Sequence, residues 1–137
     1  MTKGSWINLP VKDVGKSKEF FGKLGFSFDE MKSTNEMAVL WVGEGKSHVL
    51  LFPEKTFKGF TQNELADTGK ATEVLISFDA ESREEVDEMA RRVFEAGGKI
   101  FGEPGEIQGW MYGCGFADLD GHRWNVLYMD FSKMPKA

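Results

Sequence analysis

Cysteine is almost absent: Cys114 is the only one in 137 residues. No intrachain disulfide can form, and the chain is expected to work in a reducing, cytoplasmic setting. Cys114 itself reads as a small hydrophobe within a strand. Histidine is nearly as scarce, with only His48 and His122, and His122, beside Gly121, reads as a hydrogen-bonded turn residue rather than a metal ligand. No apolar run approaches the roughly 20 residues needed to span a bilayer, and the N-terminus lacks the apolar stretch of a signal peptide. Positive charge is in deficit: 17 Lys and Arg face 22 Asp and Glu, for a formal charge of −5, and the basic residues are scattered. Nucleic acid and anionic membrane surfaces are therefore poor partners. What remains is 41% hydrophobic and 28% charged, the composition of one globular domain over residues 1–137 with a real core.

The pattern of strands and helices repeats. Residues 6–11 alternate as a strand with Pro10 near its end. Asp13 is the expected N-cap of a helix over residues 14–24, with Val14, Ser17, Phe21 and Leu24 on one face and Gly25 ending it. Strands are expected over residues 26–31, 37–42 and 48–52, with residues 43–46 as a hairpin loop. Residues 72–78 form the next strand. Ser82 and Glu85 make a capping box for a helix whose apolar residues are Val86, Met89, Ala90, Val93 and Phe94, and Gly97-Gly98 stops it. A short strand over 99–101, a Gly/Pro/Glu loop over 102–109 and a hairpin of residues 110–116 and 123–129 follow, and the tail after Phe131 reads as frayed. The hairpin turns on Asp118-Leu119-Asp120-Gly121, where glycine suits a positive φ and the aspartates can accept from backbone N–H groups.

Strand-helix-strand-strand-strand thus occurs twice, over residues 5–53 and 72–131. The expected fold is α+β: two βαβββ modules forming a curved eight-stranded mixed sheet, helices on the convex face and a ligand cleft on the concave face. Residues 54–71 form a linker or lid, with a helical turn expected over 63–66. Strand alternation sorts the faces. Ile7, Leu9 and Val11 suit the helix-packed side, as do Val74, Ile76 and Phe78. Trp6, Asn8 and Pro10, then Glu73, Leu75 and Ser77, then Asn125, Leu127 and Met129 suit the cleft.

The Asp118-Leu119-Asp120-Gly121 turn leading into the last strand resembles the end of the vicinal oxygen chelate superfamily. That superfamily includes glyoxalase I, extradiol dioxygenases, fosfomycin-resistance enzymes and bleomycin-binding proteins. The opening resembles it too, through Asn8-Leu9-Pro10-Val11-Lys12-Asp13-Val14, Ser17, Phe20-Phe21 and Leu24-Gly25-Phe26. Phe60-Thr61, Ala66-Asp67-Thr68 and Thr72-Glu73-Val74 are similar to a subgroup labelled predicted lactoylglutathione lyase. The resemblance implies four metal-ligand positions, which fall on Trp6, Leu51, Glu73 and Asn125, and it sets Val49 and Leu51 toward the cleft with His48 facing away. Indole and isobutyl groups cannot coordinate a divalent cation, asparagine offers a weak carbonyl, and one carboxylate does not hold zinc, nickel or iron tightly.

The expected function is therefore metal-free, cofactor-free binding of an aromatic or cationic small molecule in an aromatic cleft. The contact residues are Trp6, Asn8, Trp41, Leu51, Glu73, Trp110, Tyr112 and Asn125. The competing reading is a metal-dependent, glyoxalase-like lyase, isomerase or dioxygenase. Pairing of two-module members of the superfamily, with exposed Phe57 and Phe60, makes a homodimer the expected assembly.

Overall fold

The computed structural model describes residues 1–44 and 47–136. The chain divides into two compact units, Met1–Ala71 and Thr72–Ala137. The first contains β1 (Ile7–Val11), α1 (Val14–Leu24), β2 (Ser27–Phe28), β3 (Ala38–Val42), β4 (Ser47–Pro53) and α2 (Glu54–Thr61). Its sheet runs β1-β4-β3-β2, with β1 parallel to β4 and the other pairs antiparallel. The second contains β5 (Leu75–Asp79), α3 (Arg83–Glu95), β6 (Lys99–Ile107), β7 (Met111–Ala117) and β8 (Arg123–Met129). Its order is β5-β8-β7-β6, with β5 parallel to β8. The expected eight strands stand as two four-stranded mixed sheets, and the repeated strand-helix-strand-strand-strand order is present.

Local chemistry sets the helix ends. Asp13 accepts from the Lys16 N–H at 3.0 Å and starts α1. Gly25, at φ 101, ends it by donating its N–H to Gly22 and Phe21 carbonyls. Ser82 accepts from the Glu85 N–H at 3.1 Å, and the Glu85 carboxylate reaches back to the Glu81 N–H. One face of each helix is dry. Phe20, Phe21 and Leu24 of α1, and Val86 and Val93 of α3, are among the fully buried side chains; each stabilises the fold by about 1.5–3 kcal/mol relative to exposure.

The strand expected over 26–31 is only Ser27–Phe28, and the one expected over 72–78 is Leu75–Asp79, which leaves Val74 outside it and exposed; two further elements differ more. A helix occupies Glu54–Thr61, and residues 63–66 are not helical. Pro53 enters it with φ −55, which suits a helix start, and Phe52 and Phe60 meet edge-to-face at 5.0 Å. Gly59 with Lys55, Thr56, Lys58 and Thr61 masks that periodicity. Second, β6 continues to Ile107 through residues expected as a loop. It does so with register shifts between Ile100 and Gly102 and between Gly102 and Gly105, so bulges absorb Pro104 and the glycines without ending the strand. After β8, a single 3₁₀ turn over Phe131–Lys133 is capped by Asp130. Of the loop expected over residues 43–46, Gly45 and Lys46 lie outside the described residues. Among the described residues no helix is long and apolar enough to cross a membrane.

Candidate functional site

The turn before β8 is the best-anchored polar feature of the second unit. Gly121 sits at φ 83. The buried Asp118 carboxylate accepts from the Asp120 N–H at 2.9 Å, the His122 N–H at 3.0 Å and the Trp124 indole N–H at 3.0 Å. Burial pushes this carboxyl above its ordinary range, against the opposing pull of His122 and the three donors. Trp124 is 0% exposed and stacks on Phe116. The turn thereby locks the register of β8, which decides what each of its side chains faces.

On one side of this sheet, Val126 and Cys114 pack with Val86 and Ala90 of α3, with Phe78, Tyr112 and Tyr128 alongside. Burial and the charges of Asp87 and Glu103 push the Cys114 thiol up to about 11, so it is an inert hydrophobe. The alternate residues lie on the other side. Arg123 pairs with Ala117 and Leu75, and Asn125 with Gly115 and Ser77. This face is open: Leu75 is 52% and Phe101 45% exposed.

Two glycines of β7 shape it. A Cβ on Gly115 would lie 2.5 Å from the Phe101 ring, and one on Gly113 would lie 2.6 Å from Leu127 Cδ2. Their absent side chains let Phe101 and Leu127 lie flat on the strand. The Arg123 guanidinium sits 4.3 Å from the Phe101 ring centroid. A cavity of about 250 Å³ opens here, lined by Leu75, Phe101, Glu103, Glu106, Ile107 and Asn125 among others. Among the described residues, the buried side-chain polar atoms without a hydrogen-bond partner are Arg123 Nε and Asn125 Oδ1. Both belong to this one strand face, two residues apart.

The sequence-expected site residues divide. Asn125 lines the cavity. Glu73 is exposed just before β5, in phase with Leu75. Tyr112 is on the helix side instead: it pairs with Tyr128 and donates its hydroxyl to Asp87 at 2.7 Å. That bond is the main reason its phenol is held above its ordinary pKa. Trp110 lies in the β6–β7 turn, its ring 5.9 Å from Phe131. In the first unit, Leu51 pairs with Leu9 and is 0% exposed, and Val49 pairs with Ile7. The expected orientation of β4 is therefore reversed, because its register is one residue from the one assumed. His48, Leu50 and Phe52 share the face of Asn8 and Pro10, and Trp41 pairs with His48, their rings 4.3 Å apart. Trp6 precedes β1 and is 57% exposed. Arg123 was missed by sequence reasoning, although its place two residues before Asn125 on an alternating strand was the signal that could have found it.

The donor set does not fit a chelated transition metal. Trp6 and Leu51 have no ligand atom, and the reversed register offers Leu50 or His48 in place of Leu51. Among the described residues, no group of three or more His, Cys, Asp and Glu side chains could hold a metal ion.

The chain matches, over residues 4–126, the family model described as the Glyoxalase/Bleomycin resistance protein/Dioxygenase superfamily. Among solved structures, a hypothetical protein from S. aureus is 37% identical, with a TM-score of 0.84 over 93% of this chain and 95% of that one. A glyoxalase/bleomycin resistance protein/dioxygenase family enzyme from Burkholderia phytofirmans is 19% identical, TM-score 0.78, over 91% and 97%. The fosfomycin resistance protein FosX from Listeria monocytogenes, complexed with Mn(II) and sulfate, is 20% identical, TM-score 0.68, over 97% and 94%. No functionally curated protein matches the chain. The family match spans most of the sequence and agrees with the paired βαβββ topology: the chain belongs to the glyoxalase/bleomycin resistance protein/dioxygenase superfamily.

Proposed function

We propose that this member of the superfamily is a small-molecule-binding protein that holds its ligand without a chelated transition metal. The observation that supports this most is the pair Arg123 Nε and Asn125 Oδ1, buried and unpartnered on the open face of β8; Asn125 lines the cavity, and Arg123 lies against Phe101, which lines it too. A buried polar atom left without a partner costs roughly 1–3 kcal/mol. Two on one face, next to exposed apolar side chains, suit a surface finished by a ligand. A lyase, isomerase or dioxygenase mechanism built on four metal ligands has no anchor in Trp6, Leu51 and Asn125. The lactoylglutathione lyase resemblance is thus kept at the level of fold. In the first unit taken by itself, Asn8 and Trp41 lie on the open face and Trp6 just before β1, whereas Leu51 is buried on the helix side; in the second unit, Tyr112 is on the helix side. Arg123, a fixed positive charge, favours an anionic ligand over the cation that Glu73 alone suggested.

The test is elemental analysis of the purified protein by mass spectrometry. The expected content of zinc, nickel, iron and manganese is far below one per chain. One such ion per chain, lost in Glu73→Gln, would contradict the proposal.

A further inference from the structure

The four arginines of the chain are Arg83, Arg91, Arg92 and Arg123. Arg83 is ion-paired to Glu106 at 2.9 Å, Arg91 to Glu88 and Glu95, and Arg92 to Glu88 at 3.1 Å. Arg123 forms no ion pair among the described residues; its recorded contact is the face of Phe101. A guanidinium held against an aromatic ring can still donate its N–H groups, and their fork geometry matches the two in-plane oxygens of a carboxylate. Two glutamates, Glu103 and Glu106, also line the cavity. Glu106 is engaged by Arg83, and the charge of Glu103 is felt by Cys114, which lies on the helix side of the sheet.

Asn125 adds a requirement of opposite polarity. Its Oδ1 is a buried acceptor without a donor, whereas Arg123 Nε is a buried donor without an acceptor. Residues two apart on a strand stand about 6.5–7 Å apart along one face, so both groups can reach one small molecule. The cavity, about 250 Å³, lies below the roughly 300–1,000 Å³ of sites for drug-sized ligands. Leu75, Phe101 and Ile107 give it apolar walls.

We infer that the ligand is a small carboxylic acid with a hydroxyl or amide N–H close to its carboxylate and an apolar body. Its carboxylate binds the Arg123 guanidinium, its donor is accepted by Asn125 Oδ1, and its body lies against Phe101 and Leu75. This identification of the ligand class rests on the reading of the open β8 face as the binding site.

Titration calorimetry on the full chain tests it with mandelate, N-acetylglycine, methyl mandelate (no charge) and phenylacetate (no hydroxyl). The expected result is saturable binding of mandelate or N-acetylglycine. Removing the charge, by the methyl ester or by Arg123→Gln, should weaken binding about ten- to a hundredfold, the range for hydrogen bonds to charged groups. Phenylacetate should bind several-fold more weakly than mandelate to the wild type and equally to Asn125→Ala, an equality that a merely structural Asn125 would not produce. Should Arg123→Gln not fold, Phe101→Leu replaces it: it keeps the charge, removes the platform, and should weaken the acids several-fold. Equal affinity for mandelate and its ester, or no binding of any acid, overturns the ligand class. If acids bind but neither Arg123→Gln, Phe101→Leu nor Asn125→Ala alters the affinity, the site itself is wrong, and both readings fall together.

Discussion

Adding one methyl group to either glycine of β7 should have two very different consequences. On Gly113, a Cβ would lie 2.6 Å from the Val126 carbonyl oxygen, 2.6 Å from Leu127 Cδ2 and 3.3 Å from Ile107 Cδ1, where ordinary contact begins at 3.4 Å. Val126 is held in the ladder opposite Cys114, so the carbonyl cannot retreat without disturbing hydrogen bonds. Overpacking of this kind costs up to about 3 kcal/mol. Replacing a mid-strand glycine by alanine returns about 0.5–1 kcal/mol of backbone entropy, which leaves Gly113→Ala destabilised by about 2 kcal/mol. On Gly115 the obstacle is the Phe101 ring at 2.5 Å. That ring is 45% exposed and can swing outward, at a cost of about 1 kcal/mol that the entropy term nearly offsets. Gly115→Ala should therefore keep its stability and lose ligand affinity, because the platform under Arg123 has moved. Urea unfolding followed by circular dichroism, with a common m-value, measures both variants. Stabilities within about 0.5 kcal/mol of each other, or the reverse order, would refute the distinction between a backbone obstacle and a mobile ring on which the estimate depends.

Asp118→Ala should cost about 2–4 kcal/mol in the same assay, since it removes a buried acceptor shared by the Trp124 indole N–H and two turn N–H groups. Cys114 should resist a thiol reagent at neutral pH and react only on unfolding. Its thiol rises from an ordinary 9.0 to about 11 in the fold, so its contribution to stability is complete below pH 9.0 and is lost as pH climbs through about 11. Cys114→Ala should flatten that part of the stability curve. Light scattering should give the mass of a homodimer, with Phe60 of α2, 61% exposed, as an apolar contact that Phe60→Ser weakens; a concentration-independent monomer contradicts this.

The elements with strong local chemistry were readable from residue order. Asp13 and Gly25 bound α1, Ser82 and Gly97 bound α3, and Asp118 to Gly121 turn β7 into β8, because caps and turns depend on residues a few positions apart. Asn125 was placed on the correct face for the same reason: β8 alternates cleanly from a fixed turn. The rest depended on distant neighbours. The register of β4 is set by pairing with β1 and β3, which precede it in the sequence, and an all-apolar run of Val49, Leu50, Leu51 and Phe52 contains no alternation to reveal it. The extension of β6 was hidden because glycine and proline argue for a loop unless a partner strand accommodates bulges. Arg123 was overlooked because a lone arginine becomes informative only when its lack of an ion pair among the described residues can be seen.

The most direct measurement is calorimetric titration of one acid, mandelate, in excess EDTA and again in excess Mn(II). Binding by Arg123 and Asn125 themselves predicts the same affinity in both conditions and its loss in Arg123→Gln. Binding that appears only with Mn(II), or that Arg123→Gln leaves unchanged, would contradict a metal-free site on this face.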